Sequence, residues 1–83
     1  MSRAITIDGV FDTPAATALR RRLADGAPLE PVLLDFTRAR DVYDFALAFI
    51  AHGLVTDGIA ARYRGLTHHH ERMLHYLGFD TNA

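Results

Sequence analysis

Val32-Leu33-Leu34-Asp35-Phe36 is an apolar run broken only by one carboxylate near its end. Apolar residues without polar alternation fit a central strand of a parallel sheet, covered on both faces. Upstream, Ala27-Pro28-Leu29-Glu30-Pro31 is a rigid connector that cannot be helical throughout. Before it, Ala15 to Ala24 is rich in Ala, Leu and Arg, all strong helix formers, with Ala15, Ala16, Leu19 and Leu23 as the apolar stripe. Thr13-Pro14 reads as N-cap and first helical residue, and Gly26 as the closing cap. Earlier still, Ala4-Ile5-Thr6-Ile7 is strand-like and closes at Asp8-Gly9, with Val10-Phe11 extending it past a bulge or kink. Downstream, residues 37–42 read as a polar loop. A helix follows from about Asp44 to His52, stopped at Gly53 or Gly58. Residues 59–64 form a third strand and Gly65-Leu66-Thr67 a turn with Thr67 as cap. The last helix runs from His68 to Leu77 and closes at Gly78.

Three strand–helix units with short connections predict a single α/β domain over residues 1–83: a small, mainly parallel β-sheet of three to four strands with about three helices in β-α-β-α-β-α order. Three helices are few for two sheet faces, so an exposed face or edge is expected, which favours a partner or a homodimer.

Composition narrows the function. The chain has 83 residues, too few to bury more than roughly 60–65% of its unfolded surface. It has no cysteine, which excludes disulfides, thiolate metal sites and a cysteine nucleophile. The net charge of −1 offers no basic face for nucleic acid, and Arg20-Arg21-Arg22 fans around its helix as a solvated surface. Met1-Ser2-Arg3-Ala4 runs into a strand without a leader-type apolar core. No run approaches the roughly 18–20 apolar residues of a membrane span. A cytoplasmic protein without membrane insertion is expected. The chain has no Gly-rich phosphate loop, no His-Glu-x-x-His and no serine beyond Ser2. Asp35 lies where α/β folds place functional groups, but a lone carboxylate there caps its loop. Neither an enzyme nor a cofactor is expected.

The second helix carries two apolar stripes. Leu47, Ile50, Ala51 and Leu54 form one, and Phe45, Ala48, Phe49 and His52 the other, nearly opposite. A helix on a sheet needs only one. Either a neighbouring element covers the phenylalanines, or they stand open for a partner.

From Val32 onward the chain resembles the STAS domain of sulfate transporters and anti-sigma-factor antagonists. Val32-Leu33-Leu34-Asp35-Phe36-Thr37 is similar to that family's strand ending in Asp-Leu-Ser. Tyr43-Asp44-Phe45-Ala46-Leu47 stands where the family has Asp-Ser-Ser/Thr-Gly-Leu. Arg64-Gly65-Leu66-Thr67, Arg72-Met73-Leu74 and Leu77-Gly78-Phe79-Asp80 resemble its closing pattern, and Gly9-Val10-Phe11-Asp12 its Gly-Glu-Leu-Asp. The resemblance spans about residues 5–80 and implies a protein-binding regulatory module. Its partner would be a kinase-like anti-sigma factor or, alternatively, the ATPase subunit of an ABC-type transporter complex. The phosphorylatable hydroxyl positions hold Asp44 and Phe45, so no phosphorylation site is implied. The implied docking surface is Asp41, Tyr43, Asp44, Phe45, Ala48, Phe49 and His52, with Phe45 and Phe49 as anchors. As for Asp44, a helix N-terminus favours a negative charge, so this residue also reads as a plain N-cap.

His68-His69-His70 and His75 invite a metal. His68, Glu71, Arg72 and His75 share one helix face, but His68 and His75 stand about 10 Å apart with Arg72 among them. No metal ligand is assigned there. A small His-rich metal- or ligand-binding protein remains the alternative from a different class.

Overall fold

The computed structural model describes residues 3–26 and 31–79. Its elements are β1 (Arg3–Thr6), β2 (Gly9–Phe11), α1 (Thr13–Gly26), β3 (Val32–Asp35), β4 (Ala39–Val42), α2 (Asp44–Thr56), β5 (Ala61–Arg64) and α3 (His68–Tyr76). The fold is small α/β with parallel pairing among the described residues; it keeps the strand–helix alternation that the sequence implies but adds β2 and β4, so five strands form instead of three to four. β1, β3 and β5 form a three-stranded sheet with β3 in the centre, and β2 pairs with β4 in a second, two-stranded sheet. Residues 27–30, most of the Pro-flanked connector, lie outside the described residues.

The short second sheet corrects the expectation of a loop over residues 37–42 and of a continuous first strand. Gly9, at φ 69°, turns the chain out of β1, and β2 then pairs with Ala39–Val42. The Tyr43 amide extends that pairing by donating to the Phe11 carbonyl at 3.1 Å. Charged side chains at Arg40 and Asp41 hide the strand from pattern reading, because both point to solvent from a ladder held by backbone groups. Phe11 meets Phe36 edge-on at 5.2 Å between ring centres and joins the two sheets.

Side-chain alternation shows that the helices bury one face of the larger sheet. Ile5, Leu34 and Tyr63 form a buried row across the three strands, and Val32 and Ile7 are buried with them. The opposite face carries Ala4, Thr6, Arg62 and Arg64, all exposed, with Leu33 and Asp35 half-buried. Among the described residues, the helices cover only one face of β3, not both as expected. The apolar Leu33, half-buried, lies between Ala4 and Arg62 on the other face.

Helix ends also differ from expectation. At the start of α1, Asp12 is the cap: its Oδ1 accepts from the Ala15 amide at 3.1 Å, and its carbonyl accepts from Ala16. Pro14 is tolerated one residue further in, because amides of the first turn have no helical partner. α2 does not stop at Gly53 but runs to Thr56 and ends before Gly58, which has φ 73°. Gly53 is buried beneath Arg20, whose Cδ lies 2.7 Å from where a β-carbon would sit. Thr67 caps α3 as expected, its hydroxyl accepting from the His70 amide at 3.2 Å.

Candidate functional site at the start of α2 and α3

In a parallel sheet the helices that follow the strands begin at the strands' carboxyl ends, where side chains from different units converge. Only three residues separate β5 from α3, so His68–His70 are delivered to that edge. α2 begins beside them, at Asp44.

Asp44 does not cap its own helix. Tyr43 is the N-cap residue and makes no side-chain cap bond. The Asp44 carboxylate instead bridges to α3. Oδ1 lies 2.8 Å from His70 Nε2 and Oδ2 lies 2.9 Å from His69 Nε2. A carboxylate only accepts, so both imidazoles donate through Nε2. These two bonds, His69 first, hold the Asp44 carboxyl below its usual range. The second nitrogen of His70, Nδ1, lies 3.0 Å from Thr67 Oγ1, so Thr67 holds both the backbone and the ring of the same residue. His70 is 8% exposed, while Asp44 and His69 face solvent. Both ring nitrogens of His70 are thus hydrogen-bonded, Nε2 to Asp44 and Nδ1 to Thr67.

Asp44, His69 and His70 offer three ligand atoms within 4.8 Å of one another. Helical spacing groups His68, Glu71 and His75 but cannot reveal this trio, because the third donor comes from another helix, 25 residues upstream of His69. The adjacent histidines were the visible signal; their shared partner was not visible.

Other side chains of the expected docking surface separate into open and covered. Phe45 is 73% exposed and Tyr43 57% exposed, one on each side of Asp44. Asp41 and His52 are also exposed. Ala48 and Phe49 are half-buried. The Arg20 guanidinium carbon lies 5.8 Å from the centre of the Phe49 ring, and the same group makes two bonds to Asp57, at 2.9 and 3.1 Å. Of the arginine run, Arg21 and Arg22 are solvated, whereas Arg20 is a tie between α1 and the end of α2. The opposite stripe of α2, Leu47, Ile50, Ala51 and Leu54, is wholly within the core.

Beside the trio, α3 presents a shallow depression of about 560 Å³ lined by His68, His69, Arg72, Met73, Tyr76 and Leu77. His69 belongs both to this depression and to the Asp44 cluster. Among the described residues no helix is long and apolar enough to cross a membrane. No protein-family model, no curated protein and no solved structure matches the chain.

Proposed function

We propose that the chain is a non-catalytic, cytoplasmic protein-binding module that docks through the start of α2, similar to an anti-sigma-factor antagonist without the phosphorylation switch. The observation that carries this reading is the Phe45 ring, 73% exposed on the first turn of α2. An open phenyl ring on a rigid helix is a ready anchor. Burying it contributes roughly 1.5–3 kcal/mol, and aromatic side chains supply a disproportionate share of interface energy. Tyr43 widens the apolar patch, and the exposed Asp41 gives its rim a negative charge. The matching partner is a folded protein with an apolar pocket bordered by basic groups. A fixed aromatic at this position makes association depend on the partner's state and concentration, since neither Asp44 nor Phe45 can accept phosphate from a serine kinase.

The test starts with the partner co-purified from the native host and identified by mass spectrometry. Its identity distinguishes a kinase-like anti-sigma factor from a transporter ATPase subunit. Titration of the purified partner with the parent chain and with Phe45→Ser should then show about a 30-fold loss of affinity, as for a hot-spot residue of about 2 kcal/mol. Equal affinity for a variant that melts like the parent would refute the docking site.

A further inference from the structure

We propose that Asp44, His69 and His70 form a mononuclear site for a divalent transition metal, with zinc as the best-matched ion. The proposal goes beyond the docking reading and stands without it, because the site is complete within one chain.

The donor set is the first argument. Two imidazole nitrogens and one carboxylate oxygen are borderline donors that suit zinc and its first-row neighbours better than magnesium or calcium. Three protein ligands leave one position for water or for a group from a partner.

Spacing is the second. Around zinc, donors at about 2.0–2.1 Å in a tetrahedron stand roughly 3.3 Å apart. Each histidine already meets Asp44 at 2.8–2.9 Å, and no pair of the three donor atoms exceeds 4.8 Å. Small rotations close the site. The side chains of His69 and Asp44 are 68% and 56% exposed and have room to make them, while that of His70 is 10% exposed and fixed.

The support behind His70 is the third argument. Metal-bound histidines usually have their other nitrogen hydrogen-bonded, which sets ring orientation and tautomer. Thr67 Oγ1 fills this role at 3.0 Å from Nδ1. In the metal-free chain the His70 Nε2 proton goes to Asp44, and the Thr67 hydroxyl donates to Nδ1. With metal on Nε2 the ring proton moves to Nδ1, and the same hydroxyl, by rotating, accepts it. Thr67 therefore serves both states without moving its backbone.

One effect works against the ion. The amino ends of α2 and α3 both point positive charge at the site. The Asp44 carboxylate offsets it, and the expected affinity is on the order of micromolar rather than nanomolar. Elsewhere on α3, His68 and His75 stand about 10 Å apart and do not converge on one ion.

The test uses untagged full-length chain, freed of metal by a chelator and titrated calorimetrically with zinc and nickel chlorides. One equivalent should bind saturably. Asp44→Asn and His69→Ala, both at exposed positions, should each weaken binding by about tenfold or more, with the helical circular dichroism retained. A His68→Ala/His75→Ala double variant should bind like the parent. On the parent chain itself, zinc should shift the imidazole NMR signals of His69 and His70 and leave those of His68 and His75 in place. Absence of saturable binding would overturn the site. So would binding indifferent to Asp44→Asn and His69→Ala, or binding lost in the double variant.

Discussion

Gly65 lies with its α-carbon against the backbone of Thr37: a β-carbon there would fall 2.5 Å from the Thr37 amide nitrogen and 2.7 Å from its α-carbon. Thr37 cannot retreat easily. Its amide and its hydroxyl both bond Asp35 Oδ1, at the end of the central strand. The turn into α3, which leads to His69 and His70, thus lies directly against the loop after β3.

Gly65→Ala should therefore cost about 3 kcal/mol or more, combining a backbone clash with a φ of +78° that side chains disfavour. Gly58 has a similar φ of +73° but open space around it, so Gly58→Ala should cost only about 1–2 kcal/mol. Urea denaturation of both variants gives the comparison, and equal losses would mean that the Thr37 contact carries no energy.

The two faces of α2 predict opposite outcomes for stability. Leu47 is fully buried, so Leu47→Ala should lose about 2–5 kcal/mol. Phe45→Ser, at the exposed position three-quarters open to solvent, should stay within about 0.5 kcal/mol of the parent. Thermal melts followed by circular dichroism are sufficient to read the difference.

Thr67 closes the amino end of α3 and supports the His70 ring. Thr67→Ala should lower stability by about 1 kcal/mol or somewhat more, and Thr67→Ser, which keeps the hydroxyl, should recover most of it. A destabilisation that serine does not relieve would point to packing of the threonine methyl instead of the cap.

Acid stability has a definite sign. The Asp35 carboxyl is held below its ordinary value of 3.8 chiefly by the Thr37 hydroxyl and amide, and that of Asp57 by its bonds to Arg20. Both groups bind protons less readily folded than unfolded. Their contribution is complete above pH 3.8 and disappears as pH falls through the lower folded values. Unfolding midpoints measured from pH 5 to pH 2 should drop, and Asp35→Asn should drop less steeply over the same interval.

Alkaline stability turns on Tyr63, whose hydroxyl is pushed up to about 12 by burial, from an ordinary 10.0. The unfolded phenol ionises first, so this residue's contribution is complete below pH 10 and is lost as pH rises towards 12. Tyr63→Phe should flatten the decline in stability across that window. Ultraviolet titration of the parent should show one of its tyrosines ionising late.

By itself the sequence determined the α/β class, the repeated strand–helix order, the parallel sheet and the cap at Thr67. Each of these depends on residues close together in the chain: apolar runs of strand length, a 3.6-residue apolar period, or a hydroxyl three residues before the amide it caps. The short β2–β4 sheet escaped because its ladder is made of backbone groups beneath a polar side-chain pattern. The second stripe of α2 was visible as Phe45 and Phe49, but it took the position of α1 to place Arg20 over Phe49 and leave Phe45 bare. Asp44 is the clearest case. Its neighbours in sequence suggest a helix cap, and only the packing of α3 beside α2 turns its carboxylate into the partner of two histidines. A bond across 25 or 26 residues is set by how the sheet brings two helix starts together, and no local pattern encodes that distance.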